Sequence, residues 1–171
     1  MKVFRWLLKT IDTINFWVAK IVSWTLILII AATVYEVIMR YVFGSPTQWV
    51  FEFNYLVHGP YFMLLGAYVL TIGGHVNVDI LYRRLPKRGQ AILDCLTAPI
   101  FFFFILMMFY YGGVFALKSI AARETLSSAW APPIYPIKLV IPFAAALVML
   151  QGAAKFARNL YLALTGKELE A

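Results

Sequence analysis

The sequence predicts an all-α, polytopic membrane protein with four transmembrane helices. Of its 171 residues, 63% are hydrophobic and only 13% are charged, whereas charged residues make up roughly a quarter of an ordinary soluble domain. A soluble chain of this size keeps too much of its surface in water to hide so many apolar side chains. The composition therefore argues against a soluble enzyme, a disordered chain or a nucleic-acid-binding domain, and we expect no nucleic acid partner.

The predicted spans leave no stretch long enough for a soluble domain, so we predict a single four-helix membrane domain over residues 1–171. A transmembrane helix needs about 20 residues, and uncharged runs cover residues 21–35 and 95–117. The four spans are predicted at about residues 21–41, 49–72, 91–117 and 136–162.

Ahead of the first span, residues 1–20 have the pattern of an N-terminal amphipathic helical segment. Apolar residues recur at helical spacing on one side, while the other side carries Lys2, Arg5, Lys9 and Asp12. Such a helix suits the surface of an anionic membrane, so membrane lipid is an expected partner. A signal peptide is the alternative, but no small-residue cleavage site ends the apolar run. We therefore interpret the segment as retained and leading into the first span.

The loops between the spans carry their own signals. Ser45, Pro46 and Gln48 fit the N-cap, first and third positions of the second span. After that span, Asn77 is placed to cap a short cytoplasmic interfacial helix over residues 78–85, which a proline then ends. The loop signals thus predict one capped span and one short helix outside the hydrocarbon region.

Orientation follows from the basic residues. Eleven of the Lys and Arg residues lie with the two termini and the 75–90 loop, and four lie on the opposite side. By the positive-inside rule both termini are cytoplasmic, and residues 42–48 and 118–135 are periplasmic. The topology-setting basic cluster in the 75–90 loop comprises Arg83, Arg84, Lys87 and Arg88.

Two charges lie inside the first predicted span. Glu36 and Arg40 are four residues apart and therefore share one helix face. Charges within membrane spans are costly and are candidates for function. We interpret the two as a structural ion pair that extends to Glu52 on the second span. A carboxylate for proton-coupled transport and a contact with another subunit are the alternatives.

No pattern in the sequence indicates catalysis or a cofactor. We interpret His58 as a hydrogen-bonded contact between helices, beside the kink expected at Pro60. His75 and Asp79 have the spacing of a metal pair, but two ligands do not make a metal site. Both histidines belong to one span and its following loop, so a bis-histidine haem fails as well. We predict no enzyme activity, no metal and no cofactor.

Small residues recur in the last predicted span. They occupy residues 144–146 and 152–154. Small side chains allow helix backbones to approach closely in membranes. The pattern predicts close packing of this helix, either inside the chain or against a partner.

Several short motifs, in order, resemble the small membrane subunit (Q subunit, DctQ-like) of tripartite ATP-independent periplasmic (TRAP) transporters. The resemblance covers nearly the whole chain, including its length and its four predicted spans. The motifs that carry it are Arg40-Tyr41-Val42-Phe43, Pro46, Trp49, Glu52, Gly66-Ala67, His75-Val76-Asn77-Val78-Asp79, Ser127-Ser128, Pro132-Pro133, Tyr135-Pro136-Ile137-Lys138, Pro142 and Gln151-Gly152.

The resemblance implies a non-catalytic subunit of a secondary transporter in the bacterial inner membrane. Its implied partners are a large membrane subunit, which holds the sodium and substrate sites in this family, and a periplasmic substrate-binding protein. It implies that the small subunit scaffolds the large one during sodium-coupled uptake of an organic acid. Two alternatives remain from the sequence, a small self-sufficient four-helix multidrug-type exporter and a membrane anchor of another complex.

The periplasmic rim offers candidate contacts for the binding protein that the resemblance implies. Charged residues cluster beside the predicted periplasmic loops, and rim charges commonly steer transient contacts. The candidates are Arg40, Lys118, Arg123, Glu124 and Lys138.

Overall fold

The computed structural model describes residues 2–73, residue 82 and residues 85–166. Helix accounts for 83% of these residues, and one isolated β-bridge joins Thr125 and Pro133. The predicted all-α class is therefore confirmed. The helices are α1 (Lys2–Tyr41), α2 (Trp49–Thr71), α3 (Lys87–Ala121), α4 (Tyr135–Lys138) and α5 (Val140–Thr165).

Helix α1 is continuous over 40 residues. The predicted N-terminal amphipathic segment and the first predicted span are therefore parts of one helix. At 1.5 Å per residue this helix is about 60 Å long, twice the thickness of the hydrocarbon core of a bilayer. Consequently α1 either projects beyond the hydrocarbon or tilts strongly within it.

Three helical segments among the described residues are long and apolar enough to cross a membrane. They are Val3–Tyr41, Lys87–Ala121 and Tyr135–Thr165. Helix α2 is long enough, with 23 residues, but Glu52, Asn54 and His58 lower its mean hydropathy. Three of the four predicted spans are thus supported by length and composition, and α2 as the fourth stays a prediction.

The last predicted span is divided into α4 and α5 at Leu139. Pro142 explains the division, because a proline has no N–H to bond the carbonyl four residues earlier and its ring crowds that carbonyl. The N–H of Phe143 still reaches the carbonyl of Leu139, at 3.4 Å. Helices α4 and α5 are therefore consecutive and are separated by one residue.

The start of α2 corrects the predicted capping. The helix begins at Trp49, and Gln48 before it has helical backbone angles (φ −84°, ψ −35°) with no side-chain cap. The prediction of Ser45 as N-cap was wrong, because Glu36 of α1 binds the N–H and hydroxyl of Thr47 and holds the loop in another conformation. The short helix predicted at residues 78–85 lies almost entirely outside the described residues.

Helix α5 is the centre of the bundle. It packs against α1, α2 and α3, and α1 and α2 also pack against each other. Helices α2 and α3 both contact α5 but do not pack along each other. The long helices alternate in direction, so the bundle has two ends. We call the end with the start of α1 and the last turns of α5 the terminal end, and the end with residues 42–48 and 122–134 the loop end.

Small residues bring α3 and α5 together. Buried residues of α3 recur at seven-residue intervals along one face: Ala91, Ala98, Ile105, Gly112 and Ser119. A Cβ added at Gly112 would lie 2.7 Å from Cγ2 of Ile141, and one added at Gly152 would overlap the ring of Phe101. The close packing predicted from small residues of the last span therefore occurs inside this chain.

The outer side of α3 is apolar and open. Ile100 is 73% exposed, and Phe103 and Phe104 are exposed to a similar extent. A row of exposed large apolar side chains indicates contact with a membrane or a protein partner. This is the surface expected of a helix that crosses a membrane at the edge of a bundle.

Candidate functional site

At the loop end, the predicted pair of Glu36 and Arg40 is present. Nη2 of Arg40 lies 2.6 Å from Oε1 of Glu36, and Nε donates to the same oxygen at 3.1 Å. The other carboxylate oxygen accepts the N–H of Thr47 at 3.0 Å and also its hydroxyl. Glu36 therefore ties the end of α1 to the loop before α2 as well as binding Arg40.

Glu52 does not extend this pair as predicted. Its carboxylate accepts a hydrogen bond from Oγ of Ser128 at 2.8 Å. Oγ of Ser128 in turn accepts the N–H of Ala131 at 3.1 Å. Glu52 therefore ties α2 to the 122–134 loop, because the helix packing brings it to Ser128.

The 122–134 loop is a compact hairpin-like turn. The N–H of Leu126 donates to the carbonyl of Pro132 at 2.9 Å, and that of Ile134 to the carbonyl of Glu124 at 3.0 Å. Arg123 and Ala131 have positive φ angles of 44° and 46°, a conformation that costs non-glycine residues about 1–2 kcal/mol each. The hydrogen bonds across the loop and to Glu52 offset this cost and hold the loop against α2.

The five candidate rim contacts fall into two groups. Nζ of Lys138 lies 2.5 Å from Oε2 of Glu124 and 4.0 Å above the ring of Phe115, with only 15% of the Lys138 side chain exposed. Arg40 is bound to Glu36 but is 54% exposed, and Lys118 and Arg123 are exposed. Arg40, Lys118 and Arg123 are thus accessible, whereas Glu124 and Lys138 bind each other within the chain.

The Glu124–Lys138 pair changes the titration of Glu124. The hydrogen bond from Lys138 is the largest cause that lowers the pKa of Glu124, and the hydroxyl of Ser119, which donates to the same carboxylate at 2.7 Å, is the second. Both donors favour the ionised carboxylate. The pair therefore fastens the start of the 122–134 loop to α4 while Glu124 is ionised.

Toward the terminal end, four residues form a polar network between α1 and α5. Nδ2 of Asn15 donates to Oε1 of Gln151 at 2.6 Å, and Nε2 of Gln151 donates to Oδ1 of Asp12 at 2.9 Å. Asp12 also accepts from Nη2 of Arg158 at 2.5 Å. Asn15 is 2% exposed and Gln151 1% exposed. We call Asp12, Asn15, Gln151 and Arg158 the interhelical polar cluster.

Sequence reasoning missed the interhelical polar cluster. It placed Asp12 on the solvated side of an amphipathic helix and Arg158 among the basic residues that set the topology. The available signal was spacing, because Asp12 and Asn15 are three apart and Gln151 and Arg158 seven apart. Each pair therefore shares one face of its helix, opposite an otherwise apolar partner.

Asp94 organises a second group at the terminal end. It accepts hydrogen bonds from the hydroxyl of Tyr82 at 3.0 Å and from Nδ2 of Asn159 at 2.8 Å, and Nζ of Lys155 lies 3.6 Å away.

The predicted basic cluster is described only in part. Nε of Arg88 donates to the carbonyl of Ala163 at 2.9 Å. Lys87 is the first residue of α3, and Arg83 and Arg84 lie outside the described residues.

His58 has a different role from the one predicted. Its Nδ1 lies 2.8 Å from the carbonyl oxygen of Asn54, one turn earlier in the same helix. The side chain of Asn54 makes the bond between helices, donating to Oγ1 of Thr33 in α1 at 2.9 Å. An interhelical hydrogen bond is therefore present in this part of α2, but Asn54 makes it and not His58, as was predicted.

For the described residues, no group of three or more His, Cys, Asp and Glu side chains is positioned to hold a metal ion. His75 and Asp79, the pair considered from spacing, lie outside those residues. The ion pairs between described residues lie toward the two ends of the bundle.

Comparison with known protein families identifies this architecture. The family model for the DctQ component of tripartite ATP-independent periplasmic transporters matches residues 29–161, from the middle of α1 nearly to the end of α5. A search of curated proteins finds no match. Because the matched region is more than three quarters of the sequence, the chain belongs to the DctQ family of TRAP transporter components.

Proposed function

We propose that this chain is the non-catalytic small permease subunit of a TRAP-type secondary transporter in the bacterial inner membrane. In this proposal it scaffolds a large membrane subunit, which takes up an organic acid with sodium after a periplasmic binding protein delivers it. The family assignment supports the role of a small TRAP transporter subunit. It does not favour a self-sufficient multidrug-type exporter or a membrane anchor of another complex.

The observation that carries the proposal is the position of the ion pairs. Four salt bridges between described residues lie toward the terminal end or the loop end. Coupled carriers hold their ions and substrate near the middle of the membrane, commonly at broken helices. Helices α1 and α3 instead present apolar side chains along their middles. We infer that coupling takes place in the large subunit.

We further propose that α2 is the fourth span and that both termini are cytoplasmic. A helix of 23 residues is about 34 Å long, enough to cross the hydrocarbon core. Helix α2 packs against α1 and α5, so its polar residues can face protein rather than lipid. Four crossings place both termini on one side, and the excess of basic residues at the terminal end favours the cytoplasm for that side.

For the binding protein, we propose that Arg123 and Lys118 are docking contacts and that Arg40 contributes its exposed face. These side chains are accessible at the loop end, where charges can steer a transient encounter. Lys138 is excluded from this set because Glu124 and Phe115 hold its ammonium group.

The test is sodium-driven uptake in vesicles containing this chain, the large subunit and purified binding protein. We expect uptake only when both membrane subunits are present, with Arg123→Glu reducing uptake and leaving the two subunits co-purifying. Lys138→Glu is the contrasting variant, because it should disturb the fold and lower the yield. Accumulation by this chain alone, or unchanged uptake by the large subunit without it, would overturn the proposal.

A further inference from the structure

A groove runs between α2 and α3 at the terminal end, with α5 as its floor. It arises because α2 and α3 both pack on α5 but not along each other. The cavity has a volume of about 210 Å³. Residues that define it are Leu70, Asp94, Thr97, Phe102, Lys155 and Phe156. We call it the α2/α3 groove.

The α2/α3 groove is polar at one end and apolar at the other. Lys155 and Asp94 form the polar end, while the rings of Phe102 and Phe156, 6.1 Å apart and perpendicular, contribute to the apolar end. Each carboxylate oxygen of Asp94 accepts a hydrogen bond from a neutral donor, the hydroxyl of Tyr82 or the amide of Asn159. Lys155 is farther from Asp94, at 3.6 Å, and its side chain is 39% exposed. Its ammonium group is therefore only loosely held.

By sequence, the groove lies where the charged part of the bundle gives way to the apolar part. Asp94 directly precedes the uncharged run of residues 95–117, and Lys155 directly follows the uncharged run of residues 139–154. Both charges thus mark the same boundary of the apolar part of the bundle, and Phe102 lies on its apolar side. A phospholipid has this arrangement of a charged headgroup and apolar chains.

We propose that the α2/α3 groove binds one anionic phospholipid, with its phosphate at Lys155 and an acyl chain against Phe102 and Phe156. The excess of basic side chains around this end of the bundle favours an anionic lipid over a zwitterionic one. Among the described residues of the terminal end, the basic side chains of Arg5, Lys9, Lys87, Arg88 and Lys155 outnumber the carboxylates of Asp12 and Asp94. The bound lipid fills the space that α2 and α3 leave open on α5.

The test is native mass spectrometry of the full chain purified in mild detergent, with added phosphatidylglycerol or phosphatidylcholine. We expect one phosphatidylglycerol to be retained in preference to phosphatidylcholine. Lys155→Gln should weaken retention of phosphatidylglycerol about fivefold, the effect of one basic residue near an anionic membrane surface. Lys20→Gln is the matched control, because Lys20 lies 4.9 Å from the ring of Trp17 and does not line the groove.

A second pair of variants tests the apolar end of the groove without changing charge. Phe156→Ala should weaken retention of phosphatidylglycerol, whereas Phe103→Ala, at an exposed position of α3 outside the groove, should not. Glycerol phosphate, which lacks acyl chains, should not compete with the lipid. Equal retention of the two lipids, or equal effects of Lys155→Gln and Lys20→Gln, would overturn the proposal.

The same measurement on the chain co-purified with its large subunit separates lipid from a partner helix. Retention of one phosphatidylglycerol in that complex supports the lipid as occupant. Loss of the lipid, together with cross-linking of a cysteine placed at Thr97 to the large subunit, would assign the groove to the partner and overturn the proposal. The family role of the chain does not depend on either result.

Discussion

The two ends of the bundle hold their helices in different ways. At the terminal end, Asp12 and Arg158 are separated by 146 positions and join α1 to α5, beside a hydrogen bond between two amides that are almost fully buried. At the loop end, Glu36 and Arg40 are four residues apart in the same helix, and Arg40 is half exposed. Only the first arrangement determines which helices are neighbours.

The difference follows from what a buried polar group requires. An amide inside the bundle loses its water and needs a protein partner, and leaving it without one costs about 1–3 kcal/mol. Asn15 and Gln151 therefore favour a single register between α1 and α5. At the loop end only Arg40 is exposed and can exchange its partner for solvent, whereas Glu36, whose side chain is 13% exposed, also holds Thr47.

The largest expected effect is that of Gln151→Leu. It removes the acceptor of Asn15 and a donor to Asp12, so we expect a loss of about 3 kcal/mol in the free energy of unfolding. The measurement is unfolding of the purified chain in detergent. The double variant Asn15→Leu/Gln151→Leu leaves no amide without a partner and should recover part of the loss. A double variant less stable than Gln151→Leu would show that the amide pair does not act as a unit.

The second effect is that of Gly152→Ala, the neighbour of Gln151. The added methyl group would overlap the ring of Phe101 between α5 and α3, and overpacking of this kind costs about 1–3 kcal/mol. The matched control is Gly113→Ala on α3, where an added Cβ meets nothing within 4 Å. That control should be neutral or stabilising, because alanine favours a helix. Equal melting temperatures for the two variants would contradict close packing at Gly152.

A smaller effect is expected at the loop end. Glu36→Ala should lower the melting temperature more than Arg40→Ala, because Glu36 also holds Thr47. Both decreases should be smaller than that of Gln151→Leu. A hydrogen-exchange measurement should place the loss of protection for Glu36→Ala in residues 42–48. If Arg40→Ala lowers the melting temperature as much as Gln151→Leu does, the proposed difference between the two ends of the bundle is wrong.

The smallest expected effect is on the stability of the folded chain at acidic pH. The pKa of Glu124 is lowered from its ordinary value of 4.5 by the hydrogen bonds from Lys138 and Ser119, so its ionised form stabilises the folded chain. This contribution is fully present above the ordinary carboxyl pKa and is lost as the pH falls through the lowered pKa of the folded state. The stability difference between the natural chain and Glu124→Gln should therefore shrink in acid. A difference that is constant across this range would contradict the assignment.

Local features of this protein follow from the sequence. The pairing of Glu36 with Arg40 was predicted from their spacing, because residues four apart in a helix are neighbours whatever surrounds the helix. The α-helical class and four spans were predicted from long apolar runs, because only helices satisfy their own backbone within such a segment. Three of the corresponding helical segments are long and apolar enough to cross a membrane. The close packing of small residues was also predicted, although not whether it lies inside the chain.

The tertiary structure decided which groups meet across helices. Glu52 binds Ser128, Asn54 rather than His58 makes the interhelical hydrogen bond, and Gln151 joins Asp12 and Asn15. Apolar helix surfaces resemble one another, so their pattern does not specify a neighbour or a register. Contacts between residues tens of positions apart, and the groove left between α2 and α3, exist only once α5 has packed against the other three long helices.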